Sequence, residues 1–227
     1  MKKNKNIVCV VAHPDDEVLG LGGTLIKHVN NGDKVFIIIL SDGENAKTIA
    51  SEKNPHRKAN AEECSRIIGS ILYKTFDYPD QELDTIPILE IIKNLEKIFD
   101  KLRPNIAYVH HLGDLNKDHQ IASQSALTAL RPMNRFDLST EIRSFETPSS
   151  TDQSPQEGQN IFKPNFYVSV ENTWDKKIKA LKAYNKELLD FPHPRSLKAI
   201  EALAIRRGAE SGYSMAEAFI ILRKMWS

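Results

Sequence analysis

The sequence predicts an α/β fold in which a mostly parallel central sheet carries helices on both faces. Two observations carry that prediction. Short, β-branched, continuously apolar runs, NIVCVVA (6–12) and KVFIIILS (34–41), read as strands buried on both faces. Segments with helical apolar spacing alternate with them, and strand–helix–strand units of this kind are right-handed crossovers between parallel strands. In such sheets ligands sit beyond the carboxyl ends of the strands, so the residues that follow each run are the first candidates for function.

The elements follow in order. After the first strand, GLGGTLIKHVNNGD places Leu21, Leu25, Ile26 and Val29 on one helical face and ends at NNGD. The second strand leads to a helix over ANAEECSRIIGSIL (59–72) that closes near Gly69, then to a strand end and loop, TFDYPDQELD. A clear amphipathic helix spans Ile88 to Leu102, with a stripe of Ile88, Ile91, Ile92, Leu95, Ile98, Phe99 and Leu102. NIAYVHH (105–111) is another strand, and DHQIASQSALTALR a helix with Asp118 as its expected N-cap. STEIRSFE and NFYVSV read as further strands, separated by a polar, mobile loop PSSTDQSPQEGQ (148–159). Two or three helices are expected from Trp174 onward, ending in AEAFIILRKMW.

At 227 residues the chain is most simply one domain, 1–227, large enough to bury a full core. Thirty-one basic against thirty acidic residues leave a net charge of +1, which argues against a general electrostatic role on nucleic acid. Two cysteines, Cys9 and Cys64, make neither a disulfide framework nor a CxxC site. The apolar run Ile7–Ala12 is shorter than a signal-peptide core, and no window approaches the roughly 20 apolar residues of a membrane helix. A cytoplasmic protein with no integral membrane segment is expected.

The informative stretch is VVAHPDDEVLGLGG (10–23). Asp15, Asp16 and Glu17 stand side by side at a strand end, where three like charges repel. A divalent cation would offset that repulsion. His13 and Asp16, three apart in a turn started by Pro14, offer two ligands, and His119 in GDLNKDHQ is the best third. Three ligands with open positions is the catalytic form of a zinc site. Asp16 would then be a ligand, Asp15 the base that deprotonates water, and Glu17 a brace. The same residues also suit an acidic turn that caps the next helix. A dinucleotide loop needs GxGxxG directly after the strand; here HPDDEVL intervenes, and its carboxylates would repel a pyrophosphate.

AHPDDEVLGLGGTL resembles the signature of the PIG-L/LmbE-like zinc-dependent N-acetylglucosaminyl deacetylases. HHLGDLNKDHQIASQSALTALRP resembles their second metal segment, and ETPSSTDQ, FKPNFYVSV and FPHPRSLKAIEALAIRRGAESGYSMAEAFIILR resemble later segments of one bacterial branch. The resemblance implies a Rossmann-like three-layer sandwich. It implies Zn2+, or another divalent metal, on His13, Asp16 and His119, and Asp15 as general base. Arg57 falls where the family often has a sugar-binding arginine, and Asp80 near an acidic substrate contact. The implied reaction is hydrolysis of an N-acetyl amide on a small acetamido sugar, in a polysaccharide or nucleotide-sugar setting. An amidase on another conjugate, such as a thiol-sugar adduct, and a metal- or sugar-binding module without turnover are the alternatives. A homo-oligomer is compatible with the sequence.

One departure bears on the chemistry. Where many members have a histidine three residues before the last ligand, this chain has Asn116, and an amide donates a hydrogen bond without delivering a proton. Candidates for the acid are His193, His111 or Asp15 itself, with Asn116 or His193 as donor to the oxyanion. Asn60 stands where an acidic residue often follows the arginine. Arg195, Arg206 and Arg207 could meet a phosphate, or form a solvated face. Tyr213 and Glu217 could line the site, or simply pack. Trp174 and Trp226 read as packing residues, and His28 and His56 as surface residues.

Overall fold

The computed structural model describes residues 4–44, 56–132 and 139–225. Its strands are β1 (Asn6–Val11), β2 (Lys34–Ser41), β3 (Ile71–Tyr78), β4 (Ile106–His110), β5 (Glu141–Phe145), β6 (Phe166–Ser169) and β7 (Ala216–Arg223). The helices are α1 (Asp16–Asn30), α2 (Arg57–Ile68), α3 (Ile88–Leu102), α4 (Lys117–Ala129), α5 (Trp174–Leu181) and α6 (Leu197–Ser211). The strands form one seven-stranded sheet in the order β3-β2-β1-β4-β5-β7-β6. The first five are mutually parallel; β7 runs antiparallel to β5, and β6 to β7.

Alternation along β1 builds the layers. Ile7, Cys9 and Val11 face a core shared with α1, α2, α5 and α6, while Val8 and Val10 face one shared with α3 and α4. Both faces are therefore apolar, as the uninterrupted hydrophobic runs require. Helix α3 has the predicted limits and buries Ile91, Ile92, Leu95, Ile98, Phe99 and Leu102; Ile88, at its first turn, stays exposed. Helix α2 ends as expected at Gly69, whose φ of 89° suits a residue without Cβ. No described helix is long and apolar enough to cross a membrane.

Three local expectations are corrected. AEAFIILR is not the end of a helix but strand β7, paired with β5 and β6. A short, mostly apolar run suits either state, and pairing with β5 and β6 decides it. The N-cap of α4 is Asn116 rather than Asp118: its Oδ1 accepts the Asp118 N–H at 2.9 Å. His28 is not a surface residue. It is partly buried, with Nδ1 2.7 Å from Asp33 Oδ2 and Nε2 2.9 Å from the buried Tyr108 hydroxyl. Trp174 packs against the first core; Trp226 lies outside the described residues.

Candidate metal centre

The chain adds β2 and β3 on one side of β1, then crosses to β4 on the other. The crevice at that reversal is where open α/β sheets bind ligands. His13 and Asp16 enter it from the turn after β1, and His119 from the first turn of α4, which follows β4. These three are buried, with one ligand atom from each lying within 4.8 Å of the others. The turn departs from ordinary backbone: Asp15 has φ 114°, a left-handed conformation that a residue with Cβ avoids. Strain of this kind persists only where its surroundings enforce it. Here Asp16 Oδ2 accepts the His13 N–H at 2.9 Å, and Glu17 Oε2 the Asp15 N–H at 3.1 Å.

The hydrogen-bond partners set the histidine tautomers. His119 Nδ1 lies 3.2 Å from Asp114 Oδ1 and donates to it, so Nε2 is the nitrogen that faces Asp16 Oδ2, at 3.3 Å, and the one that would exchange its proton for a cation. His13 Nε2 lies 3.1 Å from both Asp118 Oδ2 and Asp80 Oδ1, which turns its Nδ1 towards Asp16 Oδ2 at 3.4 Å. Burial works against the charged ring, but Asp118, Asp16 and Asp80 outweigh it and hold the ring well above the usual histidine range. A ring nitrogen steered by a carboxylate on its far side is the arrangement that metal-ligating histidines adopt. Three buried atoms in this crevice have no hydrogen-bond partner among the described residues: Asp15 Oδ1, Asp16 Oδ1 and His119 Nε2. Unpaired carboxylate oxygens are costly unless something positive sits among them. The set fits a divalent cation.

Burial would raise the Asp16 carboxyl, but His119 and His110 outweigh it and hold the group well below the usual carboxylate range. Burial also pulls the His119 ring down; Asp16 and Asp114 overcome it and lift the group to about 9. His110 stacks on His119 with ring centroids 3.9 Å apart, and burial followed by the charge on His119 keeps it neutral, with a pKa of about 4. Its Nε2 accepts the Ala12 N–H at 3.1 Å, which ties the end of β1 to β4.

Asp15 lies beside the three ligands. Burial raises its carboxyl above the usual range, with Arg195 and Arg57 pulling the other way. Both guanidiniums address one oxygen: Arg57 Nη2 is 3.5 Å and Arg195 Nη1 3.4 Å from Asp15 Oδ2. Oδ1 is the atom left without a partner. Glu17 accepts the Tyr184 hydroxyl at 2.7 Å, and burial pushes it up to about 7.

Arg57 is buried and committed to the turn. It donates to Pro14 O from Nε at 3.3 Å and Nη2 at 2.9 Å, to Gly43 O, and to Glu44 Oε1 at 3.1 Å. Asp80 reaches the site through His13. Arg195 bridges Asp15 to Ser149 Oγ, which its Nε meets at 2.8 Å. His193 bonds within its own turn, Nδ1 accepting the Arg195 N–H at 3.0 Å, and so helps aim that arginine. Asn116 spends its carboxamide oxygen on α4 and donates its N–H to Asp114 Oδ1 at 2.9 Å. His111 Nε2 lies 3.1 Å from Asn160 O, against the loop. Arg206 and Arg207 pair with Glu210, and Arg207 also with Glu146.

Sequence reasoning missed Asp114 and the loop that surrounds it. Ser150 Oγ and, at 2.6 Å, Thr151 Oγ1 donate to its two oxygens, and Ser154 Oγ donates to Gly113 O at 2.6 Å. Those hydroxyls are buried, so this part of 148–159 is a wall of the site. The only signal available was that a ligand histidine needs an acceptor on its other nitrogen.

The family pattern described as PIG-L, GlcNAc-PI de-N-acetylase, matches residues 8–130, more than half of the chain and all three candidate ligands. The chain belongs to the PIG-L family. Diacetylchitobiose deacetylase of Thermococcus kodakarensis is 25% identical over 232 residues, covering 94% of this chain and 81% of that protein. A 4-oxalmesaconate hydratase of Pseudomonas putida is 24% identical over 199 residues, covering 78% and 72%. The crystal structure of a conserved protein from Thermus thermophilus superposes with a TM-score of 0.77 at 25% identity, over 99% of this chain and 97% of that one. The sheet and helix arrangement is that of the PIG-L fold.

Proposed function

We propose that this family member is a metal-dependent deacetylase that removes acetate from an N-acetylglucosamine-type sugar, with Zn2+ on His13, Asp16 and His119. One observation carries the reading: His13, Asp16 and His119 offer ligand atoms within 4.8 Å of one another, and Asp15, the neighbour of Asp16 in the chain, keeps a buried Oδ1 without a hydrogen-bond partner. A base and a cation seat thus meet in one crevice. The diacetylchitobiose deacetylase relative supports the substrate class.

His13, Asp16 and His119 would hold a divalent cation, whose chemistry there would be to polarise the amide carbonyl and lower the pKa of water to roughly 7 from about 16 in bulk. Asp15 does the proton work. Its Oδ1 takes a proton from the attacking water while Arg57 and Arg195 hold Oδ2. As the carbon–nitrogen bond breaks, the same carboxyl returns that proton to the departing nitrogen, leaving acetate and a free amine. A raised affinity for protons suits both steps. Asn116, which cannot supply a proton, is not needed as the acid; its NH2 remains a donor for the oxyanion.

The test couples metal content to acetate release from N-acetylglucosamine, its UDP conjugate and N,N′-diacetylchitobiose, with and without chelator. Chelator-sensitive release restored by zinc is expected. Bound metal with no acetate from any of the three would overturn the deacetylase reading. The hydratase relative makes hydration of 4-oxalmesaconate the next reaction to assay. Asp15→Asn should retain metal and lose about 100- to 10,000-fold in turnover, the usual worth of a general base. Near-wild-type turnover would remove Asp15 from that role.

A further inference from the structure

Helix α1 is not continuous. At Leu21 its backbone leaves the helical region, with φ −148° and ψ 20°. A break in a helix orphans carbonyls before it and N–H groups after it. Here one buried ion pair, brought from two distant elements, meets both ends. Lys177 of α5 donates from Nζ to Leu19 O at 3.1 Å and to Glu217 Oε1 at 2.7 Å. Glu217 of β7 accepts the Gly23 N–H on Oε1 at 2.9 Å and the Thr24 N–H on Oε2 at 2.7 Å. The cation caps the carboxyl end of the first half and the carboxylate caps the amino end of the second, each with the favourable sign for its helix end.

Gly22 and Gly23 of GLGG serve this junction. A Cβ on Gly22 would sit 2.9 Å from Val18 Cγ2 and 3.3 Å from Lys177 Cγ. One on Gly23 would sit 2.7 Å from Val170 Cγ1 and 3.2 Å from Glu217 Oε1. Lys177 and Glu217 are 2% and 5% exposed, so neither charge is a surface ornament. The break separates the short turn that carries Asp16 from the half that packs Leu25 and Ile26 into the core, so the two can be aimed independently.

We propose that Lys177 and Glu217 are a positioning pair for the ligand-bearing turn, holding Asp15 and Asp16 in register with His119 across the break in α1. This rests on the metal reading above. Neither residue touches the candidate ligands; each acts through backbone.

The test uses the full chain with Zn2+ as the probe. Zn2+ affinity is read by chelator competition, and amide exchange is followed over residues 16–24. Glu217→Gln leaves a donor where an acceptor stood. It should weaken Zn2+ binding about tenfold or more, within the range seen when groups behind metal ligands are changed. It should also raise exchange over 16–24 selectively. Ile91→Val, in the opposite core, controls for ordinary destabilisation and should do neither. Should Glu217→Gln alone fail to fold, Lys177→Met with Glu217→Gln removes both charges together and is read the same way. Wild-type affinity and exchange in Glu217→Gln, or an equal effect from Ile91→Val, overturns the proposal. Absence of Zn2+ uptake by the wild-type chain sinks the metal reading alone. Exchange then decides the pair's role: selective loss of protection over 16–24 supports it, and unchanged protection refutes it.

Discussion

Asp114→Asn is the sharpest probe of the candidate centre, because Asp114 supports His119 without facing the cation seat. Its carboxyl is held at about 2 against 3.8 for a free aspartate, burial being outweighed by His119 and the Ser150 and Thr151 hydroxyls. At about 1.4 kcal/mol per unit, the site prefers the carboxylate to the acid by roughly 2–3 kcal/mol. Part of that is owed to a protonated His119 and disappears when a cation takes the proton's place. The remainder is the worth of an anionic acceptor over a neutral one. The amide keeps an oxygen for His119 Nδ1–H but withdraws negative charge, lowering the basicity of Nε2. The expected result is a 10- to 100-fold rise in the zinc dissociation constant, or about 1.4–2.8 kcal/mol. Chelator competition with a chromophoric indicator at pH 7.5 measures it, with circular dichroism to verify the fold. A variant that binds zinc within twofold of wild type would refute the idea that Asp114 tunes the ligand.

Other outcomes follow from the packing. Gly20→Ala should lose about 1–3 kcal/mol in urea unfolding, because the new Cβ meets the Phe145 ring and lies 2.9 Å from Glu146 O. An unshifted midpoint would mean that β5 yields freely there. Leu95→Ala, which empties a fully buried position on α3, should cost about 2–5 kcal/mol. A loss below 1 kcal/mol, on the order of a surface change, would show that this core collapses around the cavity. Burial holds His28 below its ordinary pKa, so the unfolded chain takes up its proton first as pH falls. Stability from this residue is present above about pH 6.5 and lost below it. Comparing urea midpoints at pH 7.5 and 5.5, His28→Gln should show a smaller acid loss than wild type; equal losses would discard His28 as the cause.

The parallel half of the fold was legible because strands buried on both faces leave uninterrupted β-branched runs, and strand ends then nominate His13, Asp16 and His119. What stayed hidden depends on distant partners. AEAFIILR becomes a strand only because β5 and β6 offer edges to it. Asn116 and Asp118 are both good caps, and the choice turned on Asp118 being drawn to His13 and to the Gln81 and Leu83 N–H groups. Arg57 was legible as an arginine near the site, but that its donors serve Pro14, Gly43 and Glu44 is a tertiary fact. The glycines after HPDDE lack the spacing of a dinucleotide loop, yet nothing local reveals that Gly22 and Gly23 make room for Lys177 and Val170.

The reversal of strand order between β1 and β4 has a consequence for folding. His13 and Asp118 are 105 residues apart in the chain, and the histidine beside Asp118 completes the candidate ligand set. An ion gripped by both sides of that crevice acts as a clasp on a very long loop. It stays closed only while β1 and β4 are paired. The loop-closure entropy it removes from the open chain grows slowly with length and is near its useful maximum here. The loaded protein should therefore unfold as one unit, with ion release and sheet separation as a single event. A fragment ending before β4 would have two of the three ligands and little hold on the ion.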